Sequence, residues 1–205
     1  MRGLDPALTF GGKILLSRTI FLRVATVAAE ERVGDLLTLT TEPGVVGGLP
    51  ASGLNFGAAI NAHAIIDQPS QFDFYDGGGL DIAVLGVVEV DAEGSVNVAS
   101  FADRFAGVGG FVNIAQSARR LVFCCTFQAK GNAKFVRKLQ HVCFHGPTAL
   151  KNGQQVLYVT ERAVFELTPQ GLRLIEIAAG LDLQRDVLDH MQFAPQLAET
   201  IRTIP

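Results

Sequence analysis

Apolar runs separated by glycine-rich segments recur along this 205-residue chain. The spacing of apolar residues predicts a helix over residues 17–33, and the nearly continuous apolar run over 35–41 predicts a strand buried on both faces. Residues 80–90 and 121–127 are also predicted to be buried strands, and a short helix is predicted over 111–119. Helices that alternate with buried strands are typical of α/β domains, so the pattern predicts that fold class.

Shorter alternating stretches predict antiparallel elements beside this parallel core. The turn residues 91–94 separate two short apolar stretches and predict a hairpin, and residues 154–178 predict an antiparallel meander at the sheet edge. Asp182 is the predicted cap of a helix over 182–191. The predicted fold is therefore α/β: a mixed, mainly parallel sheet with flanking helices, glycine-rich loops at strand ends and an antiparallel meander near the C-terminus.

Composition narrows the class of protein. Hydrophobic residues make up 48% of the chain and charged residues 18%, as in globular domains, and a formal net charge of −3 without a basic stripe argues against nucleic-acid binding. Arg18 and Arg23 interrupt the N-terminal apolar stretch, so neither a membrane span nor a secretory signal fits; an organelle transit peptide is the weaker alternative. Three cysteines without framework spacing indicate a reducing compartment, and the cytoplasm is the predicted location.

The segment LTLTTEPGVVGGLPASG places a carboxylate between an apolar run and a glycine-rich loop. Because the residue before a proline is kept out of the helical region, Glu42 is predicted to be extended at the last position of the strand. The glycines beyond it permit positive φ and let a ligand or another backbone come close. The arrangement fits either a functional site or a plain strand exit whose glutamate faces water.

A second glycine-rich turn, GVGGFV at residues 107–112, precedes the predicted short helix. It lacks the G-x-G-x-x-G spacing of dinucleotide-binding turns, so that class of site is not predicted. Such a turn still presents backbone N–H groups to an anion without any side chain.

Other polar clusters have plainer interpretations. Asp73, Asp76 and Asp81 around the triple glycine could form a carboxylate pair, but acids beside glycine more often cap turns. His141, Cys143 and His145 alternate as in a strand, which disfavours a metal site, and no metal is predicted.

Three stretches together resemble the family I CoA-transferases, in particular the single-chain enzymes that act on short-chain acyl-CoA with acetate, propionate or 3-keto acids. The active-glutamate segment of that family resembles TTEPGVVGGLPASGLNFGAAIN, and its glycine-rich strand entry resembles QFDFYDGGGLDIAVLG. Its second glycine loop resembles GSVNVASFADRFAGVGGFVNIAQSARRLVFCCTF, and the likeness continues through the meander to cover about residues 27–193. The resemblance implies the CoA-transferase fold and an enzyme of short-chain acyl-CoA or ketone-body metabolism.

The resemblance also implies roles for particular residues. Glu42 corresponds to the nucleophile that attacks the acyl-CoA carbonyl and then carries CoA as a glutamyl thioester. Glycines of the two loops correspond to groups that bind the oxyanion or pass close to CoA: Gly47, Gly48, Gly107, Gly109 and Gly110. Coenzyme A is a substrate in this chemistry, and no cofactor is implied.

Family members also carry a related N-terminal half, and a glycine-proline loop before the glutamate segment that residues 1–23 of this sequence do not match. The resemblance therefore implies an atypical segment over 1–24, a domain equivalent to the C-terminal, beta-like half over 25–195, and a tail over 196–205. The expected partners are an acyl-CoA, a short-chain carboxylate, and either further copies of this chain or a separate N-terminal-half chain; no nucleic acid and no membrane is expected. Two alternatives stay open: a non-catalytic fragment of the fold, and an acyl-CoA hydrolase.

Overall fold

The described part of the chain forms a ten-stranded main sheet with helices packed against it. The computed structural model describes residues 12–16, 27–28, 30–51, 55, 57–101, 104–129 and 131–204. Most of the helix predicted over residues 17–33 lies outside these residues. Within them, no helix is both long and apolar enough to span a bilayer.

The elements are short and numerous because glycine-rich turns interrupt the chain. The helices are α1 (Gln68–Phe74), α2 (Phe111–Ser117) and α3 (Gly146–Lys151). The strands are β1 (Gly12–Leu16), β2 (Leu37–Thr40), β3 (Val45–Val46), β4 (Leu49–Pro50), β5 (Ala59–Ile60), β6 (Ala64–Ile65), β7 (Ile82–Gly86), β8 (Glu89–Val90), β9 (Val96–Asn97), β10 (Ser100–Phe101), β11 (Arg104–Phe105), β12 (Arg120–Cys124), β13 (Gln128–Ala129), β14 (Asn132–Ala133), β15 (Gln155–Val159), β16 (Ala163–Thr168), β17 (Gly171–Ala178) and β18 (Gln196–Ile204).

Five parallel strands form the centre of the main sheet, in the order β2, β1, β7, β12 and β15. The first four residues of β7 are all buried, as expected for a strand covered on both faces. Phe111 on α2 stacks on Phe123 of β12 with ring centroids 5.9 Å apart, which holds this helix on the sheet. The strands predicted over 80–90 and 121–127 and the helix over 111–119 are thus confirmed in type, with shorter bounds.

Antiparallel strands extend the sheet on both sides. The meander β15–β16–β17 is confirmed, as is the hairpin, in which β8 pairs with β9 around the turn at 91–94. On the other side, β3 and β6 add antiparallel strands next to β2. The predicted fold class, a mixed and mainly parallel sheet with flanking helices, is confirmed.

The two chain ends contribute strands to the main sheet as well. Strand β1 lies between β2 and β7, and β18 pairs in parallel with β17 at the edge. The domain boundaries at residues 24 and 195 stay predictions; residues 196–204, within the predicted tail, form a strand of the main sheet. Residues 12–16, which belong to the N-terminal segment predicted to be atypical, form β1 in the centre of the sheet.

The helix predicted over 182–191 is wrong in detail. A π-type turn, Leu183–Val187, and a 3-10 turn, Leu188–His190, occupy this segment. Its predicted cap is present, since the Asp182 side chain accepts a hydrogen bond from the Arg185 N–H at 2.8 Å.

Candidate active site

Glu42 lies in a tight turn that follows β2. The N–H of Gly44 donates to the carbonyl of Thr41 at 3.0 Å, and the N–H of Thr41 donates to the carbonyl of Val45 at 2.9 Å. These two bonds reverse the chain, so the strand ends at Thr40. The prediction that Glu42 holds the last extended position of the strand is therefore wrong: it lies two residues further on, at the corner of the turn.

The glycine-rich turn before α2 contacts this glutamate. The N–H of Gly110 donates to Glu42 Oε1 at 3.1 Å, across 68 positions of the sequence. Gly110 must lack a side chain, because a Cβ there would lie 2.3 Å from the Phe72 ring and 2.8 Å from Glu42 Oε1. A Cβ at Gly109 would lie 3.7 Å from the same oxygen, whereas one at Gly107 would meet no atom within 4 Å. The structure thus brings Glu42 together with Gly109 and Gly110, two of the glycines that the resemblance singled out.

The loop after Glu42 uses its glycines differently. Gly47 and Gly48 both have φ near +73°, a conformation that favours glycine. A Cβ at Gly47 would lie 2.3 Å from Nδ1 of His63, and one at Gly48 would lie 2.4 Å from the carbonyl oxygen of Ile60. Packing within the chain therefore accounts for both glycines, and their predicted contact with CoA stays a prediction.

Glu42 opens onto a cavity of about 360 Å³ between α1 and the start of α2. The carboxylate is half-buried, so a ligand in the cavity reaches it while part of its solvation is removed. The walls combine apolar and amide side chains with the glycine turn: Glu42, Gln68, Pro69, Phe72, Gly109, Gly110 and Asn113.

Sequence reasoning predicted α2 but missed α1, and it gave neither helix a place in the wall of this cavity. Asn113 lies in the first turn of α2, where its Nδ2 donates to Asp76 Oδ2 at 3.1 Å. Ser117 Oγ, one turn later, donates to the other oxygen of Asp76, also at 3.1 Å. Asp76 therefore orients the Asn113 amide and ties α2 to the segment after α1, which is a different role from the carboxylate pair considered above.

A buried tyrosine lies close enough to Glu42 to sense its charge. Burial raises the pKa of the Tyr75 phenol above its ordinary value, and the negative charge of Glu42 acts in the same direction. Hydrogen bonds with Thr40 and Gln71 partly oppose this pKa rise. The phenol is therefore a neutral hydroxyl at physiological pH.

Rival nucleophiles and ligands in the described part of the chain are poorly suited to chemistry. Burial raises the pKa of the Cys124 thiol to about 12 and that of the Cys125 thiol to about 11, so neither is a thiolate near neutral pH. The ring nitrogen of His145 accepts from the Thr148 N–H at 3.3 Å and caps α3. Among the described residues, no group of three or more His, Cys, Asp or Glu side chains could hold a metal ion.

Sequence comparison finds relatives of one kind. No family model matches the chain. It is 42% identical to caffeate CoA-transferase of Acetobacterium woodii over 200 residues, which cover 87% of this chain and 38% of the relative. It is 42% identical to acetate CoA-transferase YdiF of Escherichia coli over 196 residues, covering 87% and 37%. It is also 32% identical to the beta subunit of an acetate CoA-transferase of Escherichia coli over 124 residues, covering 58% and 54%.

Solved structures agree. The chain superposes on the acyl-CoA transferase YdiF apoenzyme of Escherichia coli O157:H7 with a TM-score of 0.88 and 39% identity, over 97% of this chain and 41% of that one. The decarboxylase AibA/AibB, at a TM-score of 0.78 and 24% identity over 97% and 84%, shares the fold. So does glutaconate coenzyme A-transferase of Acidaminococcus fermentans, at 0.73 and 18% over the same shares.

The mixed sheet that sets a carboxylate against a glycine turn has the fold of these CoA-transferase relatives. The chain spans less than two fifths of the length of its first two curated relatives and also matches a separate beta subunit. It is therefore homologous to CoA-transferases and corresponds to their beta-like half.

Proposed function

We propose that this chain supplies the active-site carboxylate of an enzyme that transfers CoA between a short-chain acyl-CoA and a carboxylic acid. The observation that carries the proposal is the contact of Glu42 Oε1 with the Gly110 N–H inside a cavity, in a chain 42% identical to two CoA-transferases. A structure of the YdiF relative described as a thioester complex with CoA supports a thioester-forming mechanism.

The reaction exchanges one carboxylate for another. A Glu42 oxygen attacks the acyl carbonyl, the C–S bond breaks, and CoA thiolate leaves behind a mixed anhydride. The thiolate then attacks the Glu42 carbonyl and expels the first carboxylate, so the enzyme holds CoA as a glutamyl thioester. An acceptor carboxylate reverses these two steps and leaves as the new acyl-CoA. Because the bonds made and broken are alike, the sequence runs in both directions.

The Gly110 N–H has a defined task in this scheme. It already lies 3.1 Å from an oxygen of Glu42, at the edge of the range for oxyanion donors. That oxygen becomes negative when thiolate or carboxylate attacks the Glu42 carbonyl, so this donor stabilises the formation and breakdown of the glutamyl thioester. One such donor contributes about 2.7–4 kcal/mol to the transition state. Gly109 is the neighbouring candidate donor for the oxyanion on the substrate acyl group.

A complete enzyme needs more protein than this chain. Large apolar side chains stay exposed in the isolated chain, including Ile60 at 63%, Ile65 at 78% and Phe105 at 75%. Exposed apolar residues of this size are typical of surfaces covered by another polypeptide. The proposed enzyme therefore contains further copies of this chain or an N-terminal-half polypeptide. Its proposed location is the cytoplasm.

A non-catalytic module of this fold is the second candidate, favoured by the large apolar side chains that the described residues leave exposed. Intact-mass spectrometry separates the two functions. The chain is incubated with acetoacetyl-CoA or propionyl-CoA, alone and with the N-terminal half of a single-chain relative. A catalytic chain gains the mass of CoA less one water, and borohydride removes that mass by reducing the thioester.

Two variants sharpen this experiment. Glu42→Gln keeps the shape of the side chain but is expected to abolish the adduct. Glu93→Gln makes the same change at an exposed glutamate in another turn and is expected to react normally. No adduct under any condition would identify a non-catalytic fragment.

A further inference from the structure

Three buried polar side chains form a closed set next to Glu42. Thr40 is 1% exposed, and Gln71 and Tyr75 are fully buried. Gln71 Nε2 donates to Thr40 Oγ1 at 2.5 Å, and the Tyr75 hydroxyl bonds to both the Gln71 amide and the Thr40 hydroxyl. Each member therefore contacts the other two.

The set joins the two elements that place the glutamate and its donor. Thr40 ends β2, two residues before Glu42, whereas Gln71 and Tyr75 belong to α1 and the turn that follows it. Next to Gln71, Phe72 packs against the Gly110 position, where an added Cβ would come within 2.3 Å of its ring. A shift of α1 relative to β2 thus changes the distance between Glu42 and Gly110.

A purely stabilising role explains this set poorly. Gln71 Oε1 is buried without a hydrogen-bond partner among the described residues, which opposes folding. Apolar side chains of the same shape would fill this space without leaving a buried oxygen unpaired. Hydrogen bonds, in contrast to apolar contacts, fix both distance and direction.

We propose that Thr40, Gln71 and Tyr75 are positioning residues that hold the Glu42 carboxylate at the Gly110 N–H. None of them touches the substrate, because all three are buried. The inference rests on the proposed function and adds to it the reason why the nucleophile and its donor stay aligned. Loss of one hydroxyl breaks two of the three hydrogen bonds in the set and weakens the link between α1 and β2.

Paired substitutions separate positioning from general stability. Thr40→Val and Tyr75→Phe each remove one hydroxyl, and we expect kcat to fall about ten- to a hundredfold, because small displacements of a reacting group cost this much. The KM for acyl-CoA is expected to change by less than about threefold, since no substrate contact is lost. Thr40→Ser restores the hydroxyl and is expected to recover most of kcat.

Tyr158→Phe is the matched control. Tyr158 is also buried, and its hydroxyl donates to the Gly94 carbonyl at 2.5 Å. Its substitution is expected to lower the melting temperature about as much as Tyr75→Phe while leaving kcat unchanged. The inference is wrong if Thr40→Val and Tyr75→Phe behave like this control.

A second readout does not depend on turnover. The Gly110 amide proton, bonded to a carboxylate, is expected to show a downfield NMR shift and slow exchange that Thr40→Val weakens and Tyr158→Phe preserves. If the wild-type chain forms no CoA adduct, the proposed function fails, and this amide alone decides the positioning role. An unchanged Gly110 signal in Thr40→Val would overturn that role.

Discussion

Gly110→Ala tests the contact between nucleophile and donor by steric means alone. The backbone tolerates alanine, because Gly110 has φ −79° and ψ 1°. The new methyl carbon would lie 2.8 Å from Glu42 Oε1 and 2.3 Å from the Phe72 ring, both closer than atoms in contact allow. Both neighbours must move to admit the methyl, so the Phe72 ring shifts and the Glu42 carboxylate swings away and loses the Gly110 bond. Loss of one oxyanion donor corresponds to a fall in kcat of about 10²–10³, or about 2.7–4 kcal/mol.

The assay is the rate of glutamyl-CoA formation, followed by intact mass after rapid quenching. Gly34→Ala is the control, because its added methyl lies 4.0 Å from the nearest atom, the carbonyl oxygen of Ala28, and φ lies outside the left-handed region. This control is expected to react like the wild type. A Gly110→Ala protein that forms the adduct at the wild-type rate would refute the role of this contact.

Three further predictions concern the nucleophile, a cap and two thiols. Glu42→Asp shortens the side chain by one methylene, so the carboxylate no longer reaches Gly110 and adduct formation, measured by intact mass, is expected to fall at least tenfold. Asp182→Ala removes the bond to the Arg185 N–H and is expected to cost about 1 kcal/mol, measured as a loss of about 2–4 °C in melting temperature with unchanged activity. Burial raises the pKa of Cys124 to about 12 and of Cys125 to about 11, from 9.0. The unfolded thiols therefore release protons first, and stability measured by urea unfolding is expected to fall as pH rises from 9 towards 12; a flat profile would contradict the burial.

Part of the main sheet was predictable because β7 and β12 are nearly continuous apolar runs, whereas the central strand β1 was not predicted. Residues 82–86 and 120–124 have the pattern of buried strands in the sequence alone and occupy the centre of the sheet. The edge strand Gln196–Ile204 was missed, since polar residues interrupt it and its large apolar side chains are limited to Leu197, Ile201 and Ile204.

Helix α1 was missed for a different reason. The triple glycine after it, at residues 77–79, is typical of an irregular segment, and the helix signal of Pro69, near the first helical position, was not used. Because this helix was not predicted, two of its side chains were not recognised as site residues either. Phe72 lines the cavity, and Gln71 bonds to Thr40 beside it.

Sequence reasoning could predict the loop that carries Glu42 but not the contact of this loop with the second glycine turn. The pattern around Glu42 indicated a loop at a strand end, but no periodicity shows that this loop meets one 68 residues away. That pairing followed from the family resemblance, because contacts between loops depend on strand order. The position of Glu42 beyond its strand depended on two backbone hydrogen bonds of the turn that apolar pattern does not encode.

Oxygen transfer tests the central claim most directly. The complex that forms the adduct turns over with an ¹⁸O-labelled carboxylate acceptor in ordinary water. The mass of the proteolytic fragment that contains Glu42 is then measured by mass spectrometry. Because the acceptor oxygen attacks the glutamyl thioester and stays on the glutamate when the anhydride breaks, we predict that this fragment gains ¹⁸O and that Glu42→Gln does not. Turnover without label in the fragment would contradict Glu42 as the nucleophile of carboxylate exchange. In a parallel run without an acceptor acid in ¹⁸O-water, label in the same fragment would identify a hydrolase.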